Sequence, residues 1–335
     1  MTILQEDPQS VFRTYHLPAP ARGAGFLQGL NLTPTERHRS VAGRLRRGLG
    51  RGARAIAFAF MSAVPVLAQT PRDALLETVI GVEGTLDARV GLVIRQSGTD
   101  WSWSHRAEER VLMTSTFKPL LCGAILARVD AGTLDLEETL AITPSDLQDY
   151  APVTEGRVGS AMSIGDLCLA TIDLSDNTAA NLLIERLGGP DAITEFLRSI
   201  GDEVGRLDRR EPELNTSGAD GLWDTSTPDA MAASLETLLT GDVLSQQSRT
   251  QLREWMGLGG VTGTLLRAYV PDTWDVADKS GASADSRSLI AMVTPESEAP
   301  YFVAIYISDA EMGFERRNAA LIELSAAVAD LIAER

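Results

Sequence analysis

The spacing of apolar residues changes along the chain and predicts a different secondary structure for each region. Thr70 and Pro71 stand before a series of apolar residues at helical spacing, and a hydroxyl followed by proline is typical of a helix start. Apolar runs at 89–95 and 101–103 predict two strands joined as a hairpin. From about 115 to 255 the spacing is that of helices, interrupted by polar loops.

Strand patterns return in the last part of the chain. They lie at 274–278, 288–294 and 301–308, and helical spacing follows from 321 to 332. Strands at both ends around a helical middle favour an α+β fold. We expect an antiparallel sheet built from both chain ends and flanked by helices, with an all-helical domain inserted between them. The predicted boundaries are 69–113 and 256–335 for the α/β domain and 114–255 for the helical domain.

Residues 1–68 are expected to be an N-terminal extension that ends in a secretory signal. Five arginines and no acidic residue between 44 and 54 precede an apolar run that is broken by Pro65. The run ends in the small residue Ala68, so cleavage is expected before Gln69, and the mature protein would be periplasmic or secreted. A buried core helix is the alternative interpretation, which the arginines disfavour.

Charge and histidine content exclude several classes of partner and cofactor. The formal net charge of −16 argues against binding to nucleic acid or to an anionic membrane. No segment of the expected mature protein is long and apolar enough to span a bilayer. Signal cleavage would leave His105 as the one histidine, which disfavours both a zinc site and a Ser-His-Asp triad. No metal or other cofactor is expected.

The strongest chemical signal is Ser115, which is followed by Lys118 one helical turn later. The chain contains two lysines, Lys118 and Lys279, against 28 arginines. Arginine stays charged near neutral pH in proteins, whereas a buried lysine can lose its proton. A lysine three residues after a serine is therefore a candidate for activating that serine as a nucleophile. For this pair taken alone, an exposed lysine on an ordinary helix is the alternative.

Three further motifs each have a chemical and an ordinary interpretation. Ser175-Asp176-Asn177 opens a helical stretch and is by itself typical of a helix cap. Glu211 and Asn215 lie four residues apart on a proline-containing loop, where they could hold a water for Glu211 to deprotonate; a solvated charged loop is the alternative. Lys279-Ser280-Gly281-Ala282 follows a strand pattern and could bind an anionic group together with Arg287; an exposed turn is the alternative.

The two cysteines, Cys122 and Cys168, connect the serine motifs. Cys122 is seven residues after Ser115 and Cys168 is seven residues before Ser175, about two helical turns in each case. Antiparallel helices that bring the cysteines together would therefore also bring the serines together. In an exported protein we expect a Cys122–Cys168 disulfide; two independent buried thiols are the alternative.

Taken together, the four motifs resemble those of the class A serine β-lactamases, close to the TEM-type enzymes. The motifs occur in the order Ser-x-x-Lys at 115–118, Ser-Asp-Asn at 175–177, Glu-Pro-Glu-Leu-Asn at 211–215 and Lys-Ser-Gly at 279–281. The resemblance covers essentially the whole chain after the signal. It implies the β-lactamase/transpeptidase-like fold, a monomer without a cofactor, and hydrolysis of the β-lactam amide bond of antibiotics, which gives resistance.

The resemblance also implies a role for each site residue. Ser115 would form an acyl-enzyme, with the N–H groups of Ser115 and Ala282 as the oxyanion hole. Glu211 would activate the deacylating water, and either Lys118 or Glu211 would be the acylation base. Ser175 would relay a proton to the leaving nitrogen. The implied substrate-binding residues are Tyr150, Asn177, Asn215, Lys279, Ser280, Gly281, Ala282 and Arg287, with Arg317 as a further carboxylate partner and the pair Arg209–Asp224 closing the loop that carries Glu211.

Two other functions share parts of this pattern. A penicillin-binding peptidase has the serine and lysine motifs, but it needs no water base such as Glu211 with Asn215. A non-catalytic penicillin sensor would normally have a membrane span or a signalling domain, and the expected mature chain shows neither.

Overall fold

Strands from both ends of the chain form one five-stranded antiparallel sheet. The computed structural model describes residues 70–218 and 220–335, so the predicted signal lies outside the described residues. The strands are β1 (Arg89–Gln96), β2 (Ser102–His105), β3 (Val111–Leu112), β4 (Thr139–Ala141), β5 (Ala161–Ser163), β6 (Thr225–Ser226), β7 (Asp275–Ala282), β8 (Arg287–Thr294) and β9 (Tyr301–Ser308). The α-helices are α1 (Pro71–Leu86), α2 (Lys118–Asp130), α3 (Ile164–Asp173), α4 (Asn177–Leu187), α5 (Pro190–Ser199), α6 (Pro228–Thr240), α7 (Gln246–Gly257) and α8 (Phe314–Ala333). Short 3-10 helices lie at Thr114–Phe117, Thr154–Arg157, Glu213–Asn215 and Leu266–Ala268.

The strand order of the main sheet is β2-β1-β9-β8-β7, and each neighbouring pair is antiparallel. β1 and β9 pair over their whole length, from Arg89 opposite Ser308 to Gln96 opposite Tyr301. The beginning and the end of the described chain therefore meet in the middle of the sheet, and β7 lies at its edge. The expected α+β fold is confirmed.

Two hydrophobic clusters pack on opposite faces of the sheet, because successive residues of a strand point to opposite sides. On β8, Leu289 and Ala291 belong to the cluster with α1 and α8, whereas Ile290 and Met292 belong to the cluster with α2 to α7. By their contacts the described residues form one compact unit, within which the two predicted domain boundaries stay a prediction. None of the helices in the described part of the chain is long and apolar enough to cross a bilayer.

β7 is longer than the apolar pattern predicts. The pattern ends near Asp278, whereas β7 continues to Ala282 in register with β8, with Lys279 opposite Ile290. The polar side chains of Lys279 and Ser280 are buried. Nζ of Lys279 donates to the hydroxyl of Ser175 across the site and to the carbonyl of Ser280, so its polarity does not end the strand. The extension places the Lys-Ser-Gly motif on the edge strand itself rather than on a turn.

Candidate active site

The site residues predicted from the sequence meet beside the edge strand β7, where a cavity of about 530 Å³ opens. A groove of about 580 Å³ elsewhere on β7, lined in part by Trp274, contains none of them. Lys118, Glu211 and Lys279 are buried and contact residues of the cavity wall. The predicted residues that line the cavity are Ser115, Tyr150, Ser175, Asn177, Asn215, Ser280, Gly281, Ala282 and Arg287.

Ser115 lies on the 3-10 helix that runs directly into α2. Lys118 and Pro119 are the first residues of α2, and the fixed φ of proline suits the first turn of a helix. Ser115 therefore precedes a helix N-terminus, where free N–H groups favour negative charge. The three-residue spacing places Ser115 and Lys118 on the same side of this segment.

Lys118 has no exposed surface and is surrounded by oxygen atoms. Its Nζ donates to the carbonyl oxygen of Ser175 at 2.8 Å and to Oδ1 of Asn177 at 2.6 Å. Oε1 of Glu211 is 3.3 Å away. Burial lowers the pKa of Lys118, and the carboxylates of Glu211 and Asp176 oppose this shift. Lys118 is thus held within proton-transfer distance of a buried acid.

Ser175 joins the two lysines. It lies between α3 and α4 with a φ of +61°, which is uncommon outside glycine. Its hydroxyl oxygen is 3.3 Å from Nζ of Lys118 and 3.0 Å from Nζ of Lys279. Burial lowers the pKa of Lys279 well below that of an ordinary lysine, and the charges of Lys118 and Arg287 lower it further. Two buried lysines therefore share one hydroxyl oxygen.

Asp176 fixes the loop that carries Tyr150. Its buried carboxylate caps α4 at 2.8 Å and accepts hydrogen bonds from the N–H groups of Val153 and Thr154 at 3.0 and 2.9 Å. The N–H of the next residue, Asn177, donates to the carbonyl of Tyr150 at 2.9 Å. The cap expected from the sequence is therefore also the link between α4 and one wall of the cavity.

Glu211 and Asn215 face each other on their loop. Nδ2 of Asn215 donates to Oε2 of Glu211 at 2.5 Å. Oε1 of Glu211 and Oδ1 of Asn215 are buried and have no hydrogen-bond donor among the described residues; the contact of Oε1 with Lys118 is an ion pair without hydrogen-bond alignment. Asn181 on α4 holds the backbone of Glu211, because it accepts from its N–H at 2.9 Å and donates to its carbonyl at 2.8 Å.

A salt bridge closes the loop that carries Glu211. Nε of Arg209 is 2.6 Å from Oδ2 of Asp224, which is fully buried. Oδ1 of Asp224 accepts from the N–H groups of Asp208 and Arg209 at 2.8 and 2.9 Å. Asp208 accepts in return from the N–H of Asp224 at 2.9 Å. The two ends of the loop are thus tied by both side chains and backbone.

Arg287 lies at the start of β8, at one end of the cavity. It donates to the carbonyl of Gly281 at 2.9 Å and to Oδ1 of Asn318 at 3.1 Å. Burial, with the nearby charge of Arg317, lowers the pKa of Arg287 to about 10. Arg317, expected as a further carboxylate partner, donates instead to the carbonyls of residues 283, 284 and 310. It supports the turn after β7 and is not part of the cavity wall.

The predicted disulfide between Cys122 and Cys168 is wrong for this structure. Both residues are free thiols with no exposed surface. The helices do bring them together, since Sγ of Cys122 is 3.8 Å from the carbonyl oxygen of Cys168. Burial raises the pKa of the Cys122 thiol well above its usual range, and disulfide formation requires the thiolate. The two cysteines are thus neighbouring buried thiols in this structure.

Three contributors to the site belong to none of the sequence motifs. Asn181 lies four residues after Asn177 on α4, so the spacing of two amides on one helix face was an available signal. Val261 and Phe314 line the cavity, and the ring of Phe314 lies 5.4 Å from the guanidinium of Arg287. Single apolar residues on a loop and at a helix start carry no signal in the sequence.

The sequence model of the β-lactamase enzyme family matches residues 74–332, which include every one of these site residues. The chain belongs to this family. A β-lactamase of Rhodobacter capsulatus is 51% identical over 286 residues, 85% of this chain and 98% of that protein. The β-lactamase CARB-4 of Pseudomonas aeruginosa is 40% identical over 248 residues, 74% of this chain and 86% of that protein.

Solved structures give the class of this β-lactamase. The last common ancestor of Gram-negative bacteria β-lactamase class A matches with a TM-score of 0.74 and 45% identity, over 77% of this chain and 99% of that one. A β-lactamase from Xanthomonas campestris matches with a TM-score of 0.76 and 41% identity, over 79% and 99% of the two chains. The predicted class A serine β-lactamase is confirmed, which favours hydrolysis over the peptidase and the sensor.

Truncation of Asn181 should remove the two hydrogen bonds that hold the backbone of Glu211. Asn181→Ala leaves the N–H and the carbonyl of Glu211 without their partners, which we expect to lower the free energy of unfolding by about 1–3 kcal/mol. Calorimetry should show a lower Tm, and hydrogen exchange at the Glu211 amide should become faster. Asn181→Asp keeps the acceptor for that amide and should retain most of its protection. Unchanged exchange in Asn181→Ala would show that other contacts hold Glu211.

Proposed function

We propose that Ser115 of this β-lactamase attacks the lactam carbonyl and that a water activated by Glu211 hydrolyses the resulting acyl-enzyme. The Glu211–Asn215 pair carries the proposal. Its two remaining acceptors, Oε1 of Glu211 and Oδ1 of Asn215, are buried without a hydrogen-bond donor from the described residues. Buried acceptors without donors are costly. A water that donates to both oxygens would satisfy them, and it would lie beside the carboxylate that takes its proton.

The partners of Lys118 favour a charged lysine and an ionised Glu211 before substrate binds. The carbonyl oxygen of Ser175, the hydroxyl oxygen of Ser175 and Oδ1 of Asn177 each accept a hydrogen bond from Nζ of Lys118, and the carboxylate of Glu211 faces the same nitrogen as an ion pair at 3.3 Å. An ammonium has three N–H donors for them, whereas a neutral amine has two. A charged Lys118 cannot take the proton of Ser115 until it has given one to Glu211. Whether Lys118 or Glu211 takes the proton of Ser115, Glu211 therefore holds one additional proton once the acyl bond forms.

The carbonyl oxygen and the leaving nitrogen each have a partner in this scheme. As the bond from Ser115 Oγ to the carbonyl carbon forms, the N–H groups of Ser115 and Ala282 stabilise the oxyanion. The C–N bond of the ring then breaks, and the nitrogen takes the hydroxyl proton of Ser175, which Lys118 replaces. Lys118 regains a proton from Glu211, 3.3 Å away, so the carboxylate is ionised again before deacylation. In deacylation, Glu211 takes a proton from the water as it adds to the ester, and the bond from the carbonyl carbon to Ser115 Oγ breaks as Oγ takes that proton.

Unbalanced positive charge at one end of the cavity supports binding of a substrate carboxylate there. Burial and the charges of Lys118 and Arg287 lower the pKa of Lys279, and an anion placed between such cations would relieve their repulsion. Ser280 and Arg287 line this end and have donors for a carboxylate. Asn177 would bind the side-chain amide of the substrate, and Tyr150, 49% exposed, would form one wall of the cavity.

We also propose that the enzyme is exported and acts as a monomer in the periplasm or outside the cell. The signal pattern that ends at Ala68 supports export. The net charge of −16 opposes binding to anionic membranes and nucleic acid. Serine, lysine and glutamate supply the nucleophile and the proton acceptors, so the scheme requires no cofactor.

Removal of the carboxylate at Glu211 should slow both chemical steps. Glu211→Gln keeps the shape of the side chain but takes no proton, so kcat for a chromogenic cephalosporin should fall by about 10²–10⁴-fold. In single-turnover experiments acylation should slow as well, and an adduct on Ser115 should accumulate in the intact-protein mass spectrum. Glu213→Gln, at the exposed glutamate two residues on, should keep wild-type rates. Full turnover or unslowed acylation by Glu211→Gln would refute the proton route.

Alkaline pH should weaken binding of the substrate carboxylate, because Arg287 loses its charge. A cation whose pKa is about 10 is charged below that pH and loses its charge as the pH rises through it. We expect KM for a carboxylate-bearing β-lactam to rise above about pH 10, after an earlier contribution from Lys279, whose pKa is also lowered. Arg287→Ala should have a raised KM at neutral pH and no further rise near pH 10. A wild-type KM that stays constant through this range would exclude Arg287 as the carboxylate partner.

A further inference from the structure

Both neighbours of Ser115 are threonines whose hydroxyls are buried and bonded to the same atom. Thr114 and Thr116 have no exposed surface. The hydroxyl oxygen of Thr114 is 2.7 Å from the carbonyl oxygen of Met113, and that of Thr116 is 2.6 Å from it. A carbonyl has no proton to give, so both threonines donate to it. One main-chain oxygen therefore holds the residues on either side of the nucleophile.

Each of the two threonines has a second hydrogen-bond partner, and the donor in that bond can be assigned. Each threonine gives its one hydroxyl proton to Met113, so it can only accept from its second partner. Oγ of Ser288, 3.2 Å from Oγ1 of Thr114, must donate to it, and the Tyr306 hydroxyl, 2.7 Å from Oγ1 of Thr116, must donate in the same way. Burial raises the pKa of Tyr306, so the phenol keeps this proton. We call Ser288, Thr114, the Met113 carbonyl, Thr116 and Tyr306 the hydroxyl chain.

The two outer donors are neighbours in the sheet. Ser288 on β8 lies opposite Tyr306 on β9 and opposite Gly281 on β7. The three residues thus form one row across the strands, and Ser288 and Tyr306 are each 1% exposed. The hydroxyl chain fastens the segment that carries Ser115 to this row.

Gly281 shows how closely β7 passes over the hydroxyl chain. A Cβ atom at Gly281 would lie 2.0 Å from Oγ1 of Thr114, 2.7 Å from Oγ of Ser288 and 3.0 Å from the amide nitrogen of Ser115. Two hydroxyls of the chain and the amide of the nucleophile therefore converge on one point of β7. The next residue of β7 is Ala282, whose N–H is the other donor of the proposed oxyanion hole.

The backbone of Thr114 needs such support. Its φ is +46°, a left-handed conformation that is rare and strained for a β-branched residue. Its side-chain oxygen is held on one side by Met113 and on the other by Ser288. These two bonds fix the turn of the chain just before Ser115, and with it the direction of the Ser115 N–H.

We propose that the hydroxyl chain is a positioning device for the oxyanion hole, which sets the separation and direction of the Ser115 and Ala282 N–H groups. The inference rests on the proposed function, since it assumes an acyl-enzyme on Ser115 and a hole formed by these two amides. Preorganised donors stabilise the oxyanion more than the ground-state carbonyl. Loss of the chain should therefore slow acylation while KM changes little.

The test is the carbonyl stretch of the acyl-enzyme, measured by infrared difference spectroscopy in a Glu211→Gln parent that slows deacylation. Thr114→Val keeps the branched shape and removes the hydroxyl, so the ester carbonyl should be less polarised and its band should move to higher wavenumber. The acylation rate constant should fall about tenfold, less than the loss expected when a whole oxyanion donor is removed. Tyr306→Phe, at the other end of the chain, should move the band in the same direction, and Thr114→Ser should restore it.

Ser234→Ala is the matched control. It removes a buried hydroxyl that donates to Asp202 at 2.8 Å, far from the hydroxyl chain in sequence and outside the cavity wall. It should lower Tm and leave the carbonyl band unchanged. If Thr114→Val does not fold, Ser288→Ala removes the same bond from its donor side and carries the same expectation.

Two outcomes separate this inference from the proposed function. If the Glu211→Gln parent forms no adduct on Ser115, the proposed function fails and the inference fails with it. If the parent forms the adduct, but the Thr114 and Ser288 variants show its carbonyl band and its acylation rate, the inference alone is overturned.

Discussion

Two buried lysines that contact one serine hydroxyl are the arrangement on which the rest of the site depends. Lys118 and Lys279 lie 3.3 and 3.0 Å from the hydroxyl oxygen of Ser175, and neither has exposed surface. Two cations that contact the same oxygen atom repel each other, and the burial of each charge costs free energy. The carbonyls of Ser175 and Ser280 and the carboxylate of Glu211 compensate this charge. The carboxylate that compensates Lys118 is therefore also the natural acceptor for its proton.

The fold assembles this charge arrangement from four distant parts of the chain. Pairing of β1 with β9 in the middle of the sheet leaves β7 at the edge, where a glycine permits close approach. The start of α2 docks on that edge with Ser115 and Lys118, and the junction of α3 and α4 brings Ser175. The loop between Arg209 and Asp224 adds Glu211, and its salt bridge holds that loop shut. Helix termini and an edge strand thus hold the catalytic side chains rigidly and leave the cavity open to substrate.

The sequence predicts the parts of the site whose chemistry demands a rare residue type. Two lysines among 28 arginines point to positions where a cation must be able to lose its proton. The roles of Asn181 and Thr114 cannot be predicted in this way, because amides and hydroxyls are common in any sequence. Their partners, Glu211 and Ser288, also lie 30 and 174 residues away along the chain. The cysteine spacing predicts that Cys122 and Cys168 meet, but not that both stay reduced, since the thiol pKa depends on burial. Likewise, the length of β7 depends on the partners that Lys279 finds across the cavity.

The central claim is that Lys118 is charged and Glu211 is ionised before substrate binds. Neutron diffraction from crystals of the deuterated free enzyme would locate the exchangeable protons directly. We expect three deuterons on Nζ of Lys118 and none on either carboxylate oxygen of Glu211. Two deuterons on Lys118 together with one on Glu211 would contradict it, because Lys118 would then be the free base that takes the proton of Ser115.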